Sequence, residues 1–539
     1  MKHSISKGII IIMALAFGYN INLMAKGKKS KPNIVILFAD DISAREFPIY
    51  GSKVWSKPTG GNTTDPKYRA HTPVMDKLAN EGVWIKTAWA ATVCSPSRAM
   101  MMTGRYAHLH KWWNNGDLGT SKAPDGSKKK TQIYPFYEST EYTIGAVAAK
   151  GGYNSYWAGK TQMKGNNLLK YSFDEGCFTP GEQGAPENPY TDFAVVNAKR
   201  DGKKVVVNKD NGKVVDYYAQ SGWYWKPHVR LMNHPDTKGG LTWWPNTPET
   251  KKEFGLNTYG PDVELDFIFD FMDRKKNDKK PFLIYHTTHL GHDGWDFFNT
   301  DAKVKSKWPS TPKIEWKNGK YTRTKPNITG DKGVYNTHGT ITEAGIHNHI
   351  NYIDYQVWQY LNKFEELGVA DNTVFIICAD NGTSGYGKNS PVMQKGTHVP
   401  MIIYAPGFNF TKHGEQDILV NIADVLPTIA ELGGVTFPKN YEVNGVSLWP
   451  YLTTKTTKHR DWIYAYRKDA QLIRGEKVMK DGKDNWYDVS GSPDDLISFP
   501  KITDWGKVSE VHRAERKKLE EVLPRFDLHD KEHDAPVNK

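Results

Sequence analysis

Five apolar, largely β-branched runs in this chain end abruptly in polar side chains. Residues 33–39 (NIVILFA) stop at Asp40-Asp41, 153–158 at Gly159-Lys160, and 282–285 (FLIY) at His286-Thr-Thr-His289. Residues 373–379 (TVFIICA) stop at Asp380-Asn381, and 399–405 follow soon after. Without polar alternation, such runs suit strands buried on both faces, as in a parallel sheet. Helical patterns lie between them. Thr72 can N-cap a helix with Pro73 at its first position, Val74, Met75, Leu78 and Ala79 on one face and Gly82 as its stop. Residues 141–150, 261–275 and 343–367 also read as amphipathic helices. The expected class is α/β: a large mixed, mostly parallel sheet sandwiched by helices. Ligands of such sheets sit beyond the carboxyl ends of the strands, where these polar residues gather.

Both ends of the chain differ from this middle. Lys2 and Lys7 precede an apolar run over 8–17, and the pattern to Ala25 reads as a secretory signal peptide cut near Ala25. The expected location is therefore secreted or periplasmic. That run is a poor membrane span and no other segment reaches the length of one, so the mature chain is expected to have none. From about residue 436, short alternating segments (462–466, 486–489) predict a small antiparallel subdomain with a helix. The predicted division is 1–25 signal, 26–435 catalytic α/β domain and 436–539 C-terminal subdomain. The polar stretches 165–260 and 290–340 read as large loops or small added elements. Three cysteines cannot form a disulfide framework. The net charge of +12 admits nucleic acid, an anionic membrane or an acidic substrate. Export argues against nucleic acid, and the basic clusters at 128–130 and 279–280 are short and scattered.

The sharpest local signal is Cys94-Ser95-Pro96-Ser97-Arg98, followed by Thr103-Gly104-Arg105. Ser95 can N-cap a helix with Pro96 next and Gly104 ending it. Cys94 would then sit at the helix N-terminus, where the dipole lowers a thiol pKa. Asp40, Asp41 and Asp380, with the amide oxygen of Asn381, are hard oxygen donors suited to Ca²⁺ or, second, Mg²⁺ rather than zinc.

C-S-P-S-R with T-G-R resembles the signature of type I sulfatases of the alkaline-phosphatase-like superfamily, with Met102 where the signature usually has Leu. The resemblance extends through N-I-V-I-L-F-A-D-D, H-T-P-V-M-D-K-L-A-N-E-G-V, T-V-F-I-I-C-A-D-N-G, G-T-H-V-P and I-A-D-V-L-P-T-I-A-E-L-G-G to N-G-V-S-L-W-P-Y-L, about residues 32–490. It implies that Cys94 is oxidised to formylglycine (3-oxoalanine) by a formylglycine-generating or anaerobic sulfatase-maturating enzyme. It further implies that Asp40, Asp41, Asp380, Asn381 and residue 94 hold Ca²⁺. Arg98 and Lys160 would stabilise the anionic centre, and His289 would approach the bridging ester oxygen, with Thr288 where the family has Pro. Gly159-Lys160-Thr161-Gln162 lacks the histidine of the family's G-K-W-H segment, so Gln162 stands in its place. The second lysine falls on Lys388 with a one-residue slip; Lys395, in Gln394-Lys395-Gly396, is the alternative.

The implied reaction is hydrolysis of a sulfate ester through a formylglycine-bound sulfo-enzyme, on a sulfated carbohydrate. Trp112, Trp113, Trp223, Trp225, Trp243 and Trp244 could stack on sugars. His108 and His110 could bind a glycan, and His110 could replace the missing base. Two alternatives stay open: a phosphonate or phosphodiester hydrolase of the same superfamily, or a catalytically idle glycan-binding homologue.

Overall fold

In the computed structural model the apolar runs become neighbouring strands of one 11-stranded sheet. Residues 31–118, 136–163, 167–178, 195–208, 214–215, 224–225, 229–244, 259–293, 308–328, 335–336 and 338–527 are described; the signal segment, residues 128–130 and Trp223 lie outside them. In chain order the strands are β1 (Asn33–Ala39), β2 (Val83–Trp89), β3 (Asn154–Gly159), β4 (Glu175–Phe178), β5 (Val229–Met232) and β6 (Leu241–Trp244). There follow β7 (Phe282–Thr287), β8 (Thr373–Ala379), β9 (His398–Val399), β10 (Met401–Tyr404) and β11 (Gly414–Asn421). Their order across the sheet is β6-β5-β4-β3-β7-β1-β8-β10-β2-β9, with β11 also paired to β2.

From β4 to β8 the pairings are parallel, and every residue of β1, β3, β7 and β8 is buried. The sheet is mixed elsewhere, for reasons the apolar pattern does not carry. Pro400 splits the run at 399–405 into β9 and β10, because it has no N–H for the ladder. Strand β10 then runs antiparallel to both β8 and β2. The stretch 165–260 is more than added loop: it supplies β4, β5 and β6, which extend the main sheet.

The helices that bear on the site are α1 (Pro73–Glu81), α2 (Cys94–Thr103), α3 (Ile144–Gly151), α4 (Gly260–Lys275), α5 (Ile346–Glu366) and α6 (Val425–Gly433). Val74, Met75, Leu78 and Ala79 form the buried face of α1. Thr72 precedes it but makes no side-chain cap. Asp354 of α5 accepts the Val74 and Met75 N–H groups instead, at 3.2 and 2.6 Å. A carboxylate from another helix thus satisfies donors that sequence reasoning assigned to the local threonine.

Beyond α6, β12 (Ile463–Arg467), β13 (Ala470–Arg474), β14 (Val478–Lys480) and β15 (Trp486–Asp488) form the antiparallel sheet, followed by α7 (Glu510–Val522). This sheet is fastened to the larger one through buried polar contacts. Asn421 Nδ2 donates to Tyr464 O at 2.8 Å. Asp424 receives Arg460 Nη1 at 2.6 Å and lies 3.0 Å from His459 Nε2. Removing one partner of a buried pair of this kind costs about 3–5 kcal/mol.

Candidate active site

Strand pairing assembles the site. Ala39 of β1 is level with Ala379 of β8, so Asp40 and Asp380 leave the sheet side by side. Asp41 has a left-handed backbone (φ 56), which aspartate tolerates better than most residues. Its N–H donates to Asp380 Oδ1 at 2.9 Å. On the other flank of β1, the turn after β7 folds back so that Leu290 O accepts the Asp40 N–H at 3.1 Å. Only glycine permits that approach: Gly291 has φ 104, and a Cβ there would lie 2.0 Å from Asp40 O. Gly159 plays the same part before Lys160, where a Cβ would lie 2.2 Å from Thr287 O.

Helix α2 brings the nucleophile segment. It begins at Cys94 itself, two residues earlier than a Ser95 cap predicts, with Val93 as a cap that makes no side-chain bond. The Ser95 N–H donates to Asn115 Oδ1 at 2.9 Å. Gly104, in the left-handed region, ends the helix as the sequence predicts.

Cys94 Sγ lies 3.4 Å from Asp41 Oδ1. Arg98 Nη2 reaches Asp380 Oδ2 at 3.0 Å and Asp40 Oδ1 at 3.3 Å, while Nη1 donates to Lys160 O at 3.0 Å. Lys160 Nζ lies 2.5 Å from Asp40 Oδ2. Lys388 Nζ lies 2.5 Å from Asp41 Oδ2 and 3.0 Å from His292 Nε2. Lys388 is therefore the lysine that meets this cluster; Lys395 is half-buried, and its carbonyl packs against Gly382 and Gly387. Asn381 Nδ2 donates to Asp41 Oδ1 at 2.7 Å.

The buried charges act on one another. Burial opposes the charged form of Asp40, yet Lys160, His292, Arg98 and Lys388 together hold its carboxyl well below the usual range. Asp380 is pushed up to about 8 by burial and by Asp40, against the pull of Arg98. Cys94 moves opposite to the expectation from its helix terminus. Burial and then Asp41 raise its thiol well above the ordinary value, outweighing Lys388. In this environment Cys94 is a thiol, not a reactive thiolate.

These residues fit a hard cation. Asn381 Oδ1 is a buried oxygen without a hydrogen-bond partner, and buried Asp40 Oδ1 has its ion pair with Arg98 but no hydrogen bond. Ligand atoms of Asp40, Asp41, Cys94 and His292 lie within 4.8 Å of one another. Oxygen donors from three carboxylates and an amide suit Ca²⁺ or Mg²⁺.

The histidines sort by position. His286 turns inward, with Nε2 3.3 Å from Glu264 Oε2 and Nδ1 3.0 Å from the Tyr360 hydroxyl. His289 Nδ1 lies 3.5 Å from the other Glu264 oxygen. Tyr224 fixes this turn by donating its hydroxyl to His289 O at 2.6 Å and His292 O at 3.0 Å. Glu264, Tyr224 and His292 were absent from the sequence-predicted set. For His292 the signal was present, in the dense spacing H-T-T-H-L-G-H; for Glu264 and Tyr224 there was none, since both arrive from distant segments.

His108, His110 and the described tryptophans make their contacts with residues outside this cluster. His110 is buried, its Nδ1 accepting the Trp112 N–H at 3.1 Å and its Nε2 3.0 Å from the Tyr466 hydroxyl. That arrangement makes it a packing residue rather than a replacement base. His108 lies 3.3 Å from Glu442 and against Phe526. Gln162 is buried with a left-handed backbone (φ 50), and its Oε1 has no hydrogen-bond partner. Trp112, Trp113 and Trp225 are core residues without the exposed face sugar stacking needs, whereas Trp243 and Trp244 are half-buried.

No helix among the described residues is long and apolar enough to cross a membrane. The chain is 23% identical over 451 residues to the ulvan-active sulfatase of Formosa agariphila, covering 83% of this chain and 62% of that protein, so it spans less than two thirds of that relative. It is 23% identical over 536 residues to the N-acetylglucosamine-6-O-sulfatase of Bacteroides thetaiotaomicron, covering 94% and 85%. Its fold is similar to the crystal structure of Ps i-CgsB in complex with k-i-k-neocarrahexaose, with a TM-score of 0.58, 18% identity and coverage of 94% and 95%. The sulfatase family profile matches residues 32–435, and the chain belongs to the sulfatase family.

Proposed function

We propose that this protein hydrolyses a sulfate ester on a carbohydrate and releases inorganic sulfate. The observation that carries the reading is the placement of Cys94, 3.4 Å from Asp41, in a buried cluster with the cations Arg98, Lys160 and Lys388. The carbohydrate is inferred from the relatives: one is named for ulvan, another for N-acetylglucosamine 6-O-sulfate, and the similar solved structure holds a neocarrahexaose.

In this reading residue 94 acts as formylglycine, installed by a maturating enzyme. A hydrated aldehyde there offers two hydroxyls on one carbon, one to accept the sulfuryl group and one to let it go. Asp40, Asp41, Asp380 and Asn381, with residue 94, would hold Ca²⁺, Mg²⁺ being second. When bound, the cation supplies positive charge that steadies sulfate oxygens.

The chain's own groups do the rest. Arg98, Lys160 and Lys388 are aimed by carboxylates, so their charge is preorganised for the equatorial oxygens of the transferring group. Burial disfavours the ammonium of Lys388, but the neighbouring carboxylates, Asp41 above all, more than offset it and keep it charged. His289, anchored through Nδ1 to Glu264, is assigned proton delivery to the leaving alcohol, with Lys388 assisting. His292 takes the place beside residue 94 that the sequence left to Gln162 or His110. Export to the periplasm or the medium matches a large sulfated polymer as substrate.

Two measurements test the reading. Mass spectrometry of the peptide containing residue 94 reports its conversion, and sulfate release from a panel of sulfated oligosaccharides reports turnover. Converted protein that cleaves aryl phosphodiesters but releases no sulfate would instead favour the phosphodiesterase alternative.

A further inference from the structure

A second basic feature lies away from the residues that form the catalytic cluster. Between β11 and the C-terminal sheet is a cleft of about 490 Å³. Its lining includes the cationic side chains Lys86, Lys458, Arg460, Arg474 and Lys477 against two carboxylates, Asp417 and Glu476. The volume falls within the ordinary range for small-ligand sites, and none of these residues contributes to the catalytic cluster.

Arg474, at the end of β13, is the unusual member. It is only 7% exposed. Its Nη1 donates to Gln394 Oε1 at 2.7 Å, and its guanidinium lies 5.1 Å over the Phe499 ring. Its Nε is buried without a hydrogen-bond partner, and among the described residues it forms no ion pair. Of the other cations, Arg460 is paired with Asp424, Lys458 with Asp461 and Glu476, and Lys86 with Asp417. A buried guanidinium without a counter-charge is costly and normally acquires one. Burial accordingly lowers Arg474 to about 10, with Asp417 and Glu515 opposing only in part.

We propose that this cleft is a second anion site that takes a sulfate group, carried on a sugar or free in solution. Arg474 supplies the buried charge and a planar donor edge suited to oxyanions, and Lys477 and Lys458 supply charge at the rim. Ile418, Leu419 and Val489 give the apolar wall against which a sugar ring can lie. The site goes beyond the catalytic reading and does not depend on it.

Calorimetry on Cys94→Ala protein tests the proposal in the absence of turnover. Inorganic sulfate is expected to occupy two sites, one of which Arg474→Gln removes. Because Arg474 is buried, the rim variant Lys458→Ala/Lys477→Ala serves as a second probe that leaves the core intact. It should weaken that one site roughly tenfold. A sulfated oligosaccharide whose second-site binding falls in the same variants assigns a sugar-borne sulfate; loss confined to inorganic sulfate assigns the free ion. An isotherm unchanged in both variants, or a desulfated oligosaccharide that binds the cleft as tightly as the sulfated one, overturns the proposal. Failure of the catalytic reading shows separately, as wild-type protein that releases no sulfate while the second site still fills.

Discussion

Lys388 and Asp41 meet at 2.5 Å although they lie 347 positions apart in the chain. The pair joins the loop after β8 to the end of β1 beside Cys94. Removing one preorganised cation from a charge-stabilising site costs on the order of 10²–10³ in turnover. Lys388→Ala is expected to lower kcat on an aryl sulfate by that amount, and Lys395→Ala to leave it close to wild type. Steady-state kinetics of the two variants side by side check the assignment; equal losses would defeat it.

Cys94→Ala is expected to abolish turnover while circular dichroism and the thermal midpoint stay near wild type. Cys94→Ser should be nearly inactive unless the host converts serine. Multiple turnover in Cys94→Ala would remove formylglycine from the reaction.

Burial and Asp40 push Asp380 up to about 8, with Arg98 holding it back, because carboxylates converge where the cation is expected to bind. Adding Ca²⁺ to chelator-treated protein should therefore release protons near neutral pH as well as restore activity. Proton release measured in weakly buffered solution should shrink in Asp380→Asn. Full activity after exhaustive chelation would exclude the cation.

The histidines separate chemistry from stability. His292→Ala should slow single turnover at saturating substrate by roughly 10²-fold or more, in the range typical of proton-transfer groups. His110→Ala should instead cost about 3 kcal/mol of stability, from the cavity and the lost hydrogen bonds to Tyr466 and Trp112, with little change in the chemical step. Urea denaturation and rapid-quench kinetics on both variants decide the matter.

Asp424 predicts a pH dependence. Burial would raise its carboxyl, but Arg460 and His459 more than offset this and hold it below the ordinary value. The unfolded chain thus binds the proton more readily than the folded one. The stabilisation is complete above the unfolded value of about 4 and is lost as pH falls through the folded value. Asp424→Asn should cost about 3–5 kcal/mol at pH 7, and the gap to wild type in urea midpoints should narrow below pH 4.

What could be read from the residues alone follows a physical division. Runs such as NIVILFA and TVFIICA declare strands buried on both faces, and their polar ends mark the site, so Asp40, Asp41, Asp380 and Asn381 were legible. Direction was not: the run at 399–405 looks like the others, yet Pro400 splits it and β10 runs antiparallel. Positions set by tertiary contact were also hidden. Asp354 caps a helix it does not belong to, and His110 looks like a catalytic candidate until Trp112 and Tyr466 are seen to occupy both ring nitrogens. The direction of the Cys94 shift was misjudged because the local helix dipole was weighed without the carboxylate that folding brings beside it.

Cys94 is 1% exposed, at the start of α2 and beside Asp41 at the end of β1. If residue 94 must be oxidised before it can act, the modifying enzyme has to reach it while the chain is still open. Maturation is then a race against folding. Once the fold closes around an unconverted thiol, that molecule is stable, well ordered and permanently idle. The active fraction of a preparation would be decided during synthesis and export, and no later treatment of the folded protein would raise it.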